Sequence, residues 1–237
     1  FEMFVDDGNK TDGDNKKTFT QRNIYVGLKG GFGTVKAGKF DSPLKKAQKK
    51  VDLFNDLEGD IKHIITKNDN RPDNIVNYIT PSFGPVSVSV AYIPSEEDGI
   101  NDGVSSSVTF AQDNLHVAFA YDANVKAEDI NVARAVAQYT LGNLQVGALF
   151  ENMDDDGDST DAWLVSGQYK IDKIALKAQY GQSDQHEEGG ETVSVGADYK
   201  LAKTTKLFAY YTQNKVDNVG RPGFENNYLG AGIELKF

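Results

Sequence analysis

YLGAGIELKF (228–237) alternates apolar side chains with small or charged ones along its whole length. A period of two puts the apolar side chains on one face of an extended strand and the others on the opposite face. The last residues of a soluble domain are usually frayed and polar. An apolar face that continues to the last residue therefore predicts that this strand is built into a sheet. The apolar set is Leu229, Ala231, Ile233, Leu235 and Phe237.

The composition favours strands and tight turns. The chain has 237 residues, with 23 glycines, 6 prolines and 11% aromatic residues, and all-β barrels often use this length as one unit. It has no cysteine, which excludes disulfides and thiolate metal sites. The formal charge of −10 argues against nucleic acid as a partner, because a phosphate-binding surface needs an excess of lysine and arginine. The low mean hydropathy of −0.49 does not exclude a membrane barrel, whose strands expose only alternate residues to lipid.

The chain divides into about fourteen strand-like segments of roughly ten residues, and the links between them alternate in length. A meander with tight turns at one end and long loops at the other is typical of an outer-membrane barrel, which has short periplasmic turns and longer extracellular loops. The short links are 31–32, 82–84, 112–114, 142–143, 172–173 and 202–204, and the long polar links include 5–17, 95–102, 152–161, 183–191 and 215–226.

The two faces of the clearest strands differ in size and polarity. Segments 85–92, 114–123 and 192–201 carry Val, Leu, Phe and Tyr on one face and Ser, Ala, Gly, His, Asp and Lys on the other. A soluble barrel would fill its core with the larger set. The small and charged face therefore predicts a wide, wet lumen.

TFTQRNIYVGLKGGFGTVKAGKF (18–40) and the terminal Phe237 resemble the general porins of Gram-negative outer membranes, and the resemblance extends over essentially the whole chain. It implies that residues 1–237 form one all-β domain, a transmembrane antiparallel β-barrel in the outer membrane. The family's barrel has sixteen strands, of which about fourteen are expected in this chain, with the N-terminal strands missing. The resemblance further implies a homotrimer, contact with outer-membrane lipid and lipopolysaccharide, and a terminal phenylalanine that directs assembly.

In the same family the third extracellular loop folds into the lumen and narrows it, and segment 41–73 is the longest link of this chain. Its stretch DLFNDLEGD (52–60) resembles the acidic tip of that loop. Carboxylates and guanidinium groups that face each other across a narrow aqueous gap would orient polar solutes and set ion preference. The resemblance places Asp52, Asp56, Glu58 and Asp60 on the acidic side of the constriction, and Arg22 and Arg71 on the basic side.

The same loop carries KKAQKK (45–50), whose lysines do not match the family pattern. Two interpretations are open. The lysines could offset the acidic tip, or they could form a solvated turn of helix. We favour the second.

The predicted function is a water-filled channel for passive diffusion of ions and small hydrophilic solutes. Acidic residues in the long loops and at the tip predict weak cation selectivity. The main alternative is a substrate-specific outer-membrane channel for a sugar or oligosaccharide, and the others are a barrel enzyme and a soluble sandwich or structural barrel. A line of aromatic residues along the lumen would favour the sugar channel, and an active-site cluster near a rim would favour the enzyme. Neither can be picked out of the sequence.

No enzyme activity, cofactor or metal site is predicted. The histidines, at positions 63, 116 and 186, are dispersed, so no zinc site or catalytic dyad is indicated. NMDDDG (152–157) matches the first half of a calcium loop, but Trp163 stands where the bidentate glutamate is needed. We therefore expect at most weak association of divalent cations with this acidic segment.

Overall fold

A computed structural model describes residues 2–5, 19–185, 189–217 and 223–236. Phe237, His186 and most of the expected link 5–17 lie outside these ranges. Within them, neither helix is long and apolar enough to cross a membrane. The strands are β1 (Glu2–Val5), β2 (Phe19–Gly30), β3 (Gly33–Lys39), β4 (Ile75–Ile79), β5 (Val86–Ile93), β6 (Gly103–Gln112), β7 (Leu115–Ala123), β8 (Ile130–Leu141), β9 (Leu144–Asp155), β10 (Asp158–Ile171), β11 (Ile174–Ser183), β12 (Gly190–Lys200), β13 (Thr205–Val216) and β14 (Phe224–Leu235), and the helices are α1 (Pro43–Ala47) and α2 (Ile61–Ile64).

All fourteen strands form one sheet in chain order, from β1 to β14. Each strand pairs antiparallel with the next one along the chain. Antiparallel neighbours can be joined by tight hairpins, whereas parallel ones need long crossovers. The predicted all-β antiparallel meander of about fourteen strands is confirmed.

The faces of the sheet follow the alternation read from the sequence. In β7, Phe119 and Tyr121 are 63% and 47% exposed, while Ala118 and Ala120 on the opposite face are buried. In β12 the same split separates exposed Val195 from buried Thr192 and Ser194. The exposed face carries the large apolar side chains, as lipid requires.

The inner face is less uniformly polar than the sequence predicted. From β7 to β10 it carries an apolar patch, which is buried under the link between β3 and β4 rather than open to water. The reason is that this link packs against it. The buried wall residues include Ala118, Val132, Val136, Leu149 and Leu164.

Most links alternate in length as predicted, but the expected short link 82–84 runs over 80–85, and one expected long loop is absent. Links 31–32, 113–114, 142–143 and 172–173 have two residues each, whereas 40–74 and 94–102 are long. The predicted long loop 152–161 is wrong, because β9 and β10 continue through it to a two-residue turn. Asp156 and Gly157 in that turn have φ values of 51° and 92°, and Asp-Gly is a favoured pair where both central residues need positive φ.

The same hairpin accounts for the half-match to a calcium loop. The Asn152 side chain donates hydrogen bonds to Ser159 Oγ at 2.8 Å and to Asp161 Oδ1 at 2.8 Å. These contacts hold β9 against β10, so the segment is strand and turn rather than an ion-wrapping loop. No group of three or more His, Asp or Glu in the described ranges is arranged to hold a metal ion.

The link 40–74, which we call the inner loop, contains both helices. α1 begins at Pro43 after the N-cap Ser42, whose Oγ accepts a hydrogen bond from Lys45 N at 3.1 Å. α1 contacts β5 to β8, and α2 contacts β12 and β13. The inner loop therefore lies against the inner face of the sheet over most of its width.

Candidate functional site: the inner loop and the cavity beside it

A buried ion pair anchors the inner loop to the wall. Arg134 in β8 and Glu151 in β9 are register partners, and they are 2% and 0% exposed. Arg134 Nε donates to Glu151 Oε2 at 2.6 Å. Its remaining nitrogens donate to the loop, to Leu44 O at 3.3 Å, Gln48 Oε1 at 3.1 Å and Thr66 Oγ1 at 3.1 Å. One guanidinium thus holds both ends of the inner loop.

The other oxygen of Glu151 completes this anchor. Glu151 Oε1 accepts hydrogen bonds from Thr66 Oγ1 at 2.6 Å, Asn68 Nδ2 at 2.8 Å and Gln185 Nε2 at 2.8 Å. A buried carboxylate is stable only when it is paired and its lone pairs are satisfied. This pair was not predicted from the sequence, although its two inward charges stand equally far from the Gly142–Asn143 turn and so face each other.

Amide side chains of the wall hold the middle of the loop. Gln179 Oε1 accepts from Leu53 N at 3.0 Å, and Gln179 Nε2 donates to Gly59 O at 2.6 Å. Asn214 Nδ2 donates to Glu58 O at 2.8 Å. Because these bonds use loop backbone groups, they fix the path of the loop whatever its side chains are.

Glycines in the wall leave space for apolar side chains of the loop. A Cβ added at Gly181 would lie 2.8 Å from Ile65 Cδ1, and one at Gly190 would lie 2.9 Å from Ile64 Cγ2. A Cβ at Gly196 would lie 3.0 Å from a ring carbon of Phe54. These close approaches require residues without a side chain, so the glycines and the loop are matched in shape.

Asp52 folds the loop tip and is 7% exposed. Its carboxylate accepts from Phe54 N at 3.0 Å and Ile61 N at 3.2 Å. Burial and the nearby charges of Asp60 and Asp69 raise the pKa of Asp52 to about 7, although the two hydrogen bonds act in the opposite direction. Asp52 lies under the loop surface and does not line the cavity described below.

We expect the inner loop to be more stable near pH 5 than near pH 8. An unfolded aspartate has a pKa of about 3.9, whereas folded Asp52 has a pKa of about 7. Between these two pH values the unfolded loop loses the Asp52 proton and the folded loop keeps it, so the free energy of unfolding falls as the pH rises. Hydrogen exchange at Phe54 N and Ile61 N, corrected for the intrinsic pH dependence, measures this. Asp52→Asn is the control and should remove the difference. Equal protection of wild type at both pH values would contradict the expectation.

Asp60 is the N-cap of α2 and is also buried. Its carboxylate accepts from Asp56 N and Lys62 N, each at 3.0 Å, and forms an ion pair with Lys62 Nζ at 2.8 Å. Burial alone would raise the pKa of Asp60, but the contacts with Lys62 and the Asp56 backbone outweigh it and hold that pKa below its usual value. Asp60 borders the cavity, and it also shapes the tip.

Asp56 is exposed at the tip and meets Arg22 of β2, with 3.2 Å between Arg22 Nη2 and Asp56 Oδ1. Arg22 is the extra residue of a β-bulge, because successive β1 residues pair with Asn23 and Gln21. A bulge of this kind re-aims a side chain, which brings Arg22 to the loop. These two predicted residues of opposite charge are in direct contact rather than on opposite sides of an open gap.

The two remaining predicted residues lie elsewhere. Arg71 Nη2 forms an ion pair with Asp41 Oδ1 at 2.7 Å, so it joins the two stems of the inner loop rather than pairing with a carboxylate of the tip. Glu58 is half-buried, and its carboxylate forms no ion pair within the described ranges. Arg71 lines the cavity, and Glu58 does not.

A cavity of about 530 Å³, which we call the loop cavity, lies between the inner loop and Arg22. Every lining residue that the structure describes, except Arg22, belongs to the inner loop. Six lining residues are lysine or arginine and four are aspartate. The lining consists of Arg22, Asp41, Lys45, Lys46, Gln48, Lys49, Asn55, Asp56, Asp60, Lys62, Asp69 and Arg71.

The lysines of segment 45–50 contribute to this lining. Lys45 forms ion pairs with Asp41 and Asp69, at 3.7 and 3.2 Å. Lys46 and Lys49 also border the cavity, and neither forms an ion pair with a described carboxylate. The structure has features of both interpretations. Lys45 and Lys46 belong to α1 and Lys46, Lys49 and Lys50 are exposed, as in a solvated turn of helix, and Lys45, Lys46 and Lys49 also line the cavity that the acidic tip borders.

The fold and this site define a class of protein. A wide antiparallel meander with large apolar side chains outside and a long loop held against its inner face is the architecture of a transmembrane β-barrel channel. The sequence pattern of Gram-negative porins matches residues 2–219, and the chain belongs to the Gram-negative porin family. It is an outer-membrane porin, a channel for passive diffusion.

Curated relatives agree with this assignment. The chain is 25% identical to the major outer membrane protein P.IB of Neisseria gonorrhoeae over 239 residues, which cover 84% of this chain and 67% of the relative. It is 24% identical to the outer membrane porin protein 32 of Delftia acidovorans over 266 residues, which cover 98% of this chain and 72% of the relative.

Solved structures share the fold. OmpT of Vibrio cholerae superposes with a TM-score of 0.70 at 20% identity, covering 92% of this chain and 81% of OmpT. Salmonella typhi OmpF, solved in complex with daunomycin, superposes with a TM-score of 0.69 at 16% identity, covering 82% of this chain and 71% of OmpF. The predicted fold class is confirmed.

Proposed function

We propose that the loop cavity is the narrowest part of a water-filled channel, and that its lining decides which ions pass most readily. The observation that carries this proposal is the ionic lining: ten charged side chains surround about 530 Å³. Such a lining favours hydrated ions and small hydrophilic solutes and disfavours apolar ones. The predicted roles of Asp56 and Arg22 as constriction residues stay part of this proposal.

The balance of charge at the cavity supports a preference for anions at this point. Each of the four lining aspartates has a cationic partner, whereas Lys46 and Lys49 have no carboxylate partner in the part of the chain that the structure describes. Two uncompensated ammonium groups in a confined space attract anions. The cation preference predicted from the sequence depended partly on Asp52, which is buried.

Reversal potentials in a potassium chloride gradient test this proposal. Lys46→Gln/Lys49→Gln is expected to shift the permeability ratio toward potassium by roughly five-fold, which corresponds to about 1 kcal/mol of lost attraction for chloride. Asp154→Asn/Asp155→Asn/Asp156→Asn in the β9–β10 hairpin is the comparison, and its smaller effect should fade at high salt because exposed charges are screened. Cation selectivity in wild type, unchanged by the lysine double variant, would restore the original prediction and reject this one.

The alternative of a sugar-specific channel has one feature in its favour. Phe208, Tyr210 and Phe54 form a short row of rings on the inner face, with centroids 6.4 and 6.5 Å apart. However, Phe208 and Tyr210 lie over Gly232 and Gly230 of β14. Covering these glycines accounts for the two rings, so we retain the general diffusion channel.

We further propose that the channel is a homotrimer in contact with outer-membrane lipid and lipopolysaccharide. Flat surfaces suited to close packing are available, because Ala133, Ala135 and Ala137 of β8 alternate with inward residues and so face outward. Chemical cross-linking in mild detergent tests the assembly, and a product limited to monomer would contradict it.

A further inference from the structure

A second cavity of about 380 Å³ lies at the short-turn end of β10 to β14 and is rich in lysine. We call it the lysine vestibule. Ser166 in β10 and Ser194 in β12 are buried on the inner face, and both have even residue numbers. The residues of β10 and β12 that line the vestibule also have even numbers, so they share that face. By the same alternation, Lys170 and Lys200 point to the inner side of the sheet.

The carboxylates that line the lysine vestibule already form ion pairs with lysines. Asp198 forms ion pairs with Lys177 at 2.9 Å and with Lys206 at 3.4 Å. Glu234 forms ion pairs with Lys206 at 2.9 Å and with Lys236 at 3.2 Å. Among the residues that the structure describes, no carboxylate that lines the vestibule is left to neutralise its other lysines.

Five lining lysines have no carboxylate partner among the described residues: Lys50, Lys170, Lys173, Lys200 and Lys203. In addition, Lys200 and Lys206 are direct register partners across β12 and β13. Like charges directly opposite each other destabilise a sheet. An arrangement of this kind is stabilised when an anion enters, because the anion offsets the repulsion among the ammonium groups.

We propose that the lysine vestibule binds a small multivalent oxyanion on the short-turn side of the channel. Several ammonium groups around one cavity suit an anion with several charged oxygens, since each lysine contributes a point charge and donors to oxygen. The volume exceeds that of one phosphate group and suits two or more linked groups. This inference rests on the proposed function, in which the inner face is the lumen, so the ligand is a dissolved anion and not a lipid headgroup.

Calorimetric titration of the purified protein with inorganic pyrophosphate tests the inference. Wild type should show saturable binding, and Lys170→Gln/Lys200→Gln/Lys203→Gln should bind at least about ten-fold more weakly, because three charge-assisted contacts to the anion are lost. Lys67→Gln/Lys126→Gln/Lys215→Gln is the matched control. It removes the same charge from lysines that line neither cavity and should bind within about two-fold of wild type.

Further arms keep the result interpretable. Lys170→Arg/Lys200→Arg/Lys203→Arg keeps the charge and should keep binding, while Lys203→Gln alone serves if the triple glutamine variant does not fold. Short-chain phosphatidate in the same detergent should not compete with pyrophosphate. The inference is overturned if wild type shows no saturable binding, if the vestibule and control variants weaken binding equally, or if phosphatidate competes. Conductance of wild type is measured separately, so a failure of the channel proposal is distinguishable from a failure of this site.

Discussion

Arg134→Leu is expected to make the channel current larger on average and strongly fluctuating. The substitution leaves Glu151 Oε2 buried without its partner, because Arg134 Nε is its donor at 2.6 Å. Removing one member of a buried ion pair typically costs about 3–5 kcal/mol. The same change removes the three bonds from the guanidinium to the inner loop. The strand ladders are untouched, so the loop rather than the barrel should unfold.

Single-channel recording and limited proteolysis check this result, with new cleavage expected between residues 44 and 68. The double variant Arg134→Leu/Glu151→Leu is the informative comparison, because replacing both members of a buried pair with apolar residues is often close to neutral. It removes the unpaired buried charge but also the bonds from Thr66 and Asn68 to Glu151 Oε1, so it should recover only part of the protease resistance. Lys215→Leu, which removes the exposed ion pair of Lys215 with Asp217, is the control and should cost at most about 1 kcal/mol, as exposed pairs contribute little. A steady wild-type current from Arg134→Leu would contradict the assignment of this pair as the anchor.

The strands and their faces could be predicted from sequence because the alternation of side chains within one strand indicates which of its faces is apolar. In β7 the order Leu115, His116, Val117, Ala118 and Phe119 indicates which side meets lipid without knowledge of any neighbour. The prediction of a long loop over 152–161 was wrong for a local reason. A run of aspartates is typical of a loop, yet a single Asp-Gly pair at the correct position is sufficient for a hairpin.

The site was harder to predict because the sequence does not distinguish a carboxylate that faces the lumen from one that is buried and holds the loop together. Asp52 and Asp56 are four residues apart, and the first binds backbone groups while the second meets Arg22. One signal was available in Asp60, which directly precedes the helical segment Ile61–Ile64 and suits an N-cap. The position of Arg22 depends on a bulge, and no feature of the alternation indicates where an extra residue enters.

The tip of the inner loop touches the wall through a glycine. A Cβ added at Gly59 would lie 2.3 Å from Ser194 Oγ and 3.0 Å from Thr212 Oγ1. These two hydroxyl groups are hydrogen-bonded to each other at 2.8 Å, so neither can rotate away without losing that bond. Gly59 O also accepts from Gln179 Nε2. A larger residue at this position must therefore move the tip rather than the wall.

Gly59→Leu is expected to reduce the single-channel current to a lower, steady value. The added side chain displaces the tip from β12 and β13 toward Arg22, which narrows the loop cavity, and overpacking of this kind costs about 1–3 kcal/mol. Because that cost is below the cost of breaking the Arg134 anchor, the loop should stay folded, and the current should lack the fluctuations of Arg134→Leu. Gly167→Leu is the matched control, since a Cβ at Gly167 meets no atom within 4 Å. A wild-type current from a folded Gly59→Leu channel would show that the tip does not border the path of the ions.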